Sequence, residues 1–239
     1  MNIEMKAEKV VEWIKKSVKE AGAKGVVLGI SGGVDSAVVA AACKRAFPDD
    51  TLGIVMPCHS NPEDEEDAML LINALGLKYK KVVLDDIFDS LMNAVNSTGD
   101  EPKLAIANIK PRLRMVTLYY HAALNNYLVA GTSNKSEITV GYFTKHGDSG
   151  SDIIPLAPFV KRDIWELARY FGVPDKIVNK APSAGLWEDQ TDEKEMGITY
   201  EELDNYILTG EAEDRVKKVV DNLNKKSQHK REFAKMFEL

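Results

Sequence analysis

Cysteine is scarce: the 239-residue chain holds only two, Cys43 and Cys58. Two cysteines imply no disulfide framework, and a reducing, cytoplasmic setting fits. No apolar run approaches the ~20 residues that span a bilayer. Residues 1–21 form a charged amphipathic stretch without the apolar core of an export signal. No membrane partner is expected. A basic surplus is missing too, since 31 Lys and Arg face 37 Asp and Glu for a formal net charge of −6. A sequence-blind nucleic-acid binder carries the opposite balance, so no nucleic acid is expected. Repeats and low-complexity tracts are absent. What remains is 44% hydrophobic and 28% charged, enough for a real core, and residues 1–239 read as one α/β domain with C-terminal helices.

Along the chain, Val10, Val11, Ile14 and Val18 share one face of an N-terminal helix. Strand patterns at 26–30, 52–56 and 79–84 alternate with helical patterns at 36–46, 63–75 and 87–95. That alternation predicts a doubly wound parallel sheet. In such sheets ligands sit outside the carboxyl ends of the strands, so the loops at 31–36, 57–62 and 85–86 share one rim. A long helical pattern covers 104–125, with Pro111 starting or kinking it. A fourth strand at 127–131 ends in Thr132-Ser133-Asn134, again at the rim. Helices are expected at 161–171, 200–208 and 212–226. Two long polar loops, 141–152 and 181–198, fit functional or mobile segments.

The chain is organised around Gly29-Ile30-Ser31-Gly32-Gly33-Val34-Asp35-Ser36, a strand running through a glycine turn into a helix. Glycines let the backbone approach a ligand, and the first helical N–H groups lack intrahelical acceptors. Together with the helix dipole they make an anion site. No Gly-Lys-Ser/Thr follows, so this is not the common NTPase loop. Asp35 would repel a bare phosphate but suits one that carries a divalent cation. The order Ser-Gly-Gly-Xaa-Asp-Ser resembles the pyrophosphate loop of the N-type ATP pyrophosphatases.

Further blocks extend the resemblance. Asn108-Ile109-Lys110-Pro111-Arg112-Leu113-Arg114-Met115, Gly131-Thr132-Ser133-Asn134-Lys135-Ser136-Glu137 and Gly141-Tyr142-Phe143-Thr144-Lys145-His146-Gly147-Asp148 all contribute. So do Asp152-Ile153, Ala181-Pro182-Ser183-Ala184-Gly185-Leu186, Gln190-Thr191-Asp192-Glu193 and His229-Lys230-Arg231. In this order they are similar to the ammonia-dependent NAD synthetases. The resemblance implies an adenine-nucleotide α-hydrolase-like fold and a homodimer. It also implies a ligase that adenylates the nicotinate carboxylate of deamido-NAD with ATP, then admits ammonia, giving NAD, AMP and pyrophosphate.

It assigns Asp35, Glu137 and Lys161 to catalysis, with Asp35 and Glu137 holding Mg²⁺. ATP falls to Gly29, Ile30, Ser31, Gly32, Gly33, Val34, Asp35, Ser36, Thr132, Lys161 and Ser183, where Ser183 replaces the family's usual threonine. Deamido-NAD falls to Arg112, Lys145, Asp152, His229 and Lys230, with Arg114 in support. Without the resemblance Glu137 is a helix-cap glutamate, Lys161 an exposed helix-start lysine, and His229 with Lys230 a solvated basic end.

Cys58 and His59 could suggest a nucleophile pair, but sequence neighbours rarely have that geometry. Cys58 is placed at the adenine end of the site instead, and Cys43 in the core. Tyr119, Tyr120 and His121 read as helix packing, and the acidic run from Glu188 as a lid. Ser149 stands where the family commonly has glycine, and Pro111 where it usually has alanine. The competing readings are another ATP pyrophosphatase, tRNA-modifying or GMP-forming, and an ATP-binding regulatory module without chemistry. A basic face or cysteine pair would favour the tRNA enzyme, and two carboxylates disfavour the module.

Overall fold

The computed structural model describes residues 1–187 and 190–237. Helix α1 (Ile3–Glu20) starts where the Asn2 side chain accepts from the Met5 N–H, and it buries Ala7, Val10, Val11, Ile14 and Val18. Three strand–helix units follow: β1 (Gly25–Gly29) with α2 (Val34–Ala46), β2 (Thr51–Val55) with α3 (Pro62–Leu75), and β3 (Lys78–Lys81) with α4 (Asp85–Ala94). The chain continues through α5 (Lys103–Ala107), α6 (Ile109–Asn125), β4 (Tyr127–Val129) and α7 (Lys135–Val140). The remainder is helical: α8 (Lys161–Phe171), α9 (Asp175–Val178), α10 (Asp192–Met196), α11 (Tyr200–Thr209) and α12 (Asp214–Lys226), then a 3₁₀ turn at Gln228–Lys230.

All strand pairs are parallel, in the order β3-β2-β1-β4. The chain steps outward from β1 to β3, then returns to β1's other side as β4. The crevice at β1 is therefore the topological switch point where doubly wound sheets bind ligands. Side chains alternate across the sheet. Val26 and Leu28 face a core shared with α1, α2 and α8, whereas Val27, Ile54 and Val129 face Phe88 of α4 and Ala122 of α6. A third cluster, including Val140, Leu203 and Val216, docks α11 and α12 onto α7. Among the described residues no helix is long and apolar enough to cross a membrane.

The sheet and its covering helices match the expected α/β class, with local corrections. The regular part of β3 ends at Lys81, although the Val82 N–H still donates to the Val55 carbonyl (2.9 Å) and Leu84 to that of Pro57 (2.8 Å). The long pattern at 104–125 divides at Asn108 into two helices. Pro111 is thus the third residue of α6, where a missing N–H costs nothing. Within the acidic loop, residues 192–196 form a short helix that the polar composition hid. Glu188 and Asp189 of the expected lid lie outside the described residues.

Candidate active site

The β1–α2 loop is shaped by its own hydroxyls. The Gly33 N–H donates to Ser31 Oγ (3.2 Å), Ser36 Oγ donates to the Gly33 carbonyl (3.0 Å), and the two hydroxyl oxygens are 3.0 Å apart. Gly32 has φ +80°, and a Cβ there would meet the Asp64 carbonyl oxygen at 2.5 Å. Glycine is required on both counts. Gly33 caps α2 without a side chain, so the first-turn N–H groups are directed at the crevice as an anion cradle.

Three ionisable side chains converge beside this loop. Lys161 Nζ lies 2.5 Å from Asp35 Oδ2 and 3.4 Å from Glu137 Oε1, and the lysine side chain is only 1% exposed. Asp35 Oδ1 accepts from Asn134 Nδ2 at 2.8 Å. Asn134 and Glu137 also form a reciprocal capping box at the start of α7. Glu137 thus caps its helix with Oε2, accepting from the Asn134 N–H, and faces the ammonium with Oε1. Burial, and then the nearby Asp35 charge, push Glu137 up to about 8. For Lys161 burial alone would lower the pKa, but Asp35 and Glu137 outweigh it and hold the lysine charged.

A lysine at a helix start is held here by a borrowed cap. Asp204 of α11 accepts from the N–H groups of Lys161 (3.3 Å) and Arg162 (2.7 Å), and from Ser136 Oγ. Its carboxylate offsets the positive helix end that would otherwise disfavour Lys161. Tyr200 packs its ring 4.9 Å from Lys161 Nζ and donates its hydroxyl to Asp192 Oδ2 (2.8 Å). Asp192 is buried with Oδ1 unpartnered among the described residues, and burial raises its pKa. Asn134, Asp192, Tyr200 and Asp204 were not among the expected site residues. The Asn-Xaa-Xaa-Glu spacing of a capping box is the one sequence signal that could have marked any of them.

A cavity of about 1280 Å³ opens onto this cluster, lined by Ser31, Asp35, Thr132, Glu137, Lys161 and Ser183 among others. Gly29, Ile30, Gly33, Val34, Ser36 and Lys230 also line it, whereas Gly32 packs behind the loop. Arg112, Lys145, Asp152 and His229 lie outside its wall. Arg112 donates to the Lys145 carbonyl (3.4 Å), and Lys145 Nζ in turn donates to that of His229. Asp152 accepts from the Val129 N–H (2.7 Å) and the Tyr119 hydroxyl (3.1 Å), which extends the β4 edge.

Two expectations are corrected. Cys58 does not reach the cavity; its thiol is buried against the Leu84 carbonyl, and burial pushes its pKa up. The His59 ring pairs instead with Asp89 (2.8 Å), so the two neighbours form no nucleophile pair. Tyr119 and Tyr120 are exposed rather than packed; only His121 of the three is buried.

Residues 6–238 match the family described as NAD synthase. The chain is 55% identical to an NH(3)-dependent NAD(+) synthetase of Carboxydothermus hydrogenoformans, over 99% of this chain and 98% of that protein. Its structure is similar to an NMN synthetase of Francisella tularensis (TM-score 0.96, 34% identity, 100% of both chains). It is also similar to an NH3-dependent NAD synthetase of Campylobacter jejuni in complex with nitrate (TM-score 0.82, 32% identity, 100% of both chains). The parallel sheet with its flanking helices is the adenine-nucleotide α-hydrolase-like fold of these neighbours. The chain belongs to the NAD synthase family.

Proposed function

We propose that this protein joins ammonia to deamido-NAD at the expense of ATP, releasing NAD, AMP and pyrophosphate. A nicotinate carboxylate is too poor an electrophile for ammonia. One of its oxygens attacks the α-phosphorus of ATP, the bond to the bridging oxygen breaks, and pyrophosphate leaves. Ammonia then attacks the acyl carbon of the mixed anhydride, loses a proton, and AMP departs. The observation that carries this reading is the Lys161 ammonium set between Asp35 and Glu137, beside an open anion cradle. Bringing two anions together needs fixed positive charge, and the α2 N-terminus and Lys161 supply it.

Within this reading Ser31, Ser36 and the loop N–H groups hold the leaving pyrophosphate, and Thr132 and Ser183 contact ATP. Arg112, Lys145, Asp152, His229 and Lys230 take deamido-NAD. Asp35 and Glu137 are the residues that would hold Mg²⁺. Among the described residues no cluster of three or more candidate metal ligands occurs. Mg²⁺ asks for no more than one or two carboxylates when phosphate oxygens complete its shell. The site fits on that count: both candidate ligands offer carboxylate oxygens at the rim of the anion cradle, and burial, then the Asp35 charge, raises the Glu137 pKa, a shift that an added cation would oppose. Bound there, Mg²⁺ would supply charge neutralisation of the polyphosphate.

The same reading makes 1–239 a single synthetase domain working in the cytoplasm as a homodimer. Val116, Tyr120 and Leu124, each 61% exposed, form an apolar stripe at four-residue spacing on α6 that suits a second copy. A second substrate reading, amidation of the mononucleotide, is favoured by the likeness to the NMN synthetase. The test incubates the protein with Mg-ATP and ammonium and supplies deamido-NAD or nicotinate mononucleotide. NAD formed faster than NMN supports the proposal; NMN formed faster replaces the dinucleotide with the mononucleotide, and no amide from either acid overturns both.

A further inference from the structure

Among the described residues the mechanism leaves two cations of the cavity wall without a task, and one of them, Lys180, is already paired with Asp64 and Asp67. Arg114 lies on α6 and lines the cavity. Its Nε donates to the Met56 carbonyl just past β2 (3.1 Å), and one terminal nitrogen donates to Ser60 Oγ (3.1 Å). Both acceptors are neutral, and among the described residues the guanidinium forms no ion pair. One turn earlier, Lys110 is buried and donates only to the carbonyls of His59 and Leu186, each at 3.2 Å. Two cations four residues apart on one helix therefore meet backbone and hydroxyl oxygens where carboxylates would be expected. The carboxylates acting on Arg114 from farther off are Asp64 and Asp148, and burial lowers its pKa.

Position along the sheet says what this charge is for. The anion cradle follows β1, in the middle of the strand order. On the β4 side stand the carboxylates Asp35 and Glu137; on the β2 side stands Arg114. A nucleoside triphosphate with its outer phosphates on Ser31–Ser36 has Asp35 and Glu137 in one direction; in the other it has the guanidinium, with Asp64 and Glu65 of the same wall already paired to Lys180 and Lys81. The two terminal nitrogens of Arg114 carry four N–H bonds, of which Ser60 engages one. The remainder can fork onto phosphate oxygens.

We propose that Arg114 is a nucleotide-binding residue that takes the 5′-phosphate of the adenylate moiety, with Lys110 reinforcing the local positive potential. This rests on the adenylation reading, because only there does a nucleoside monophosphate remain after pyrophosphate has left. Arg114 holds that phosphate while ammonia displaces it from the acyl carbon. The Met56 and Ser60 contacts keep the guanidinium oriented before the ligand arrives.

The test is equilibrium binding of AMP, adenosine and pyrophosphate to the full-length protein, by calorimetry, for wild type, Arg114→Gln and Arg114→Lys. Arg114→Gln is expected to weaken AMP binding at least tenfold while changing adenosine and pyrophosphate less than twofold; Arg114→Lys should recover part of the loss. AMP affinity unchanged in Arg114→Gln overturns the assignment. An equal loss for adenosine also overturns it, because the guanidinium would then read the nucleoside rather than the phosphate. If the variants do not fold, wild type treated with phenylglyoxal decides: AMP, but not adenosine, should suppress the Arg114 adduct, and equal labelling with and without AMP overturns the proposal. None of these readouts needs turnover. NAD formation with Arg114-independent AMP binding sinks this inference alone, and Arg114-dependent AMP binding without amide formation sinks the reaction alone.

Discussion

The ammonium of Lys161 stands 2.5 Å from Asp35 Oδ2 across 126 residues of sequence. Asp35 comes from the first turn of α2, Lys161 from the first residue of α8, and Glu137 from the capping box of α7. Three helix starts thus aim one cation and two carboxylates at a single point of the crevice.

Removing the cation tests that arrangement. Lys161→Met leaves the enclosed Asp35 carboxylate without its cation, and stability should fall by on the order of 3 kcal/mol in urea unfolding. AMP formation should vanish. Adding Asp35→Asn removes the uncompensated charge and should restore part of the stability but none of the activity. A double variant no more stable than Lys161→Met would show that the Asp35 charge is not what the lysine offsets.

Glu137 also makes a pH prediction. Its folded-state pKa, pushed up to about 8 by burial and by Asp35, exceeds the ordinary 4.5. The folded protein therefore holds a proton that the unfolded chain has released, and the Glu137 contribution to stability falls as pH rises from about 4.5 to about 8. Melting temperatures across that window should show wild type losing ground to Glu137→Gln as pH increases. Parallel curves for the two proteins would contradict the shift.

Gly32 is the tightest point of the anion cradle. Gly32→Ala combines a positive φ with a 2.5 Å approach to the Asp64 carbonyl, so a cost of about 1–3 kcal/mol is expected. Pyrophosphate binding should weaken with it, because the loop must move away from α3. Calorimetry with pyrophosphate, set beside the melting curve, checks both effects.

Much of this site is legible in the sequence because its parts are local. The Ser31–Ser36 loop and the Asn134-Xaa-Xaa-Glu137 box each declare themselves within a few residues. The long-range parts are not legible. Asp204 is 43 residues from the Lys161 N–H it accepts, and nothing in the sequence around it distinguishes it from a solvated aspartate. Asp192 was hidden in an acidic run whose average character is that of a loop, although its own carboxylate turns inward to Tyr200. The division of 104–125 at Asn108 is hidden for a related reason, since apolar periodicity continues through the break.

The α6 stripe predicts an assembly. Tyr120→Glu with Leu124→Glu puts charge at two of its exposed positions and should convert a dimer to a monomer in sedimentation. The melting transition should persist, because both side chains are at the surface. A wild-type monomer under the same conditions would remove the dimer from the account.

Attack of the substrate carboxylate on the α-phosphorus leaves an isotopic record in the products. Deamido-NAD labelled with ¹⁸O in its nicotinate carboxylate is turned over with unlabelled Mg-ATP and ammonium, and the nucleotide products are read by mass spectrometry. AMP should carry one ¹⁸O and pyrophosphate none. ADP as product with the label in inorganic phosphate would contradict that attack.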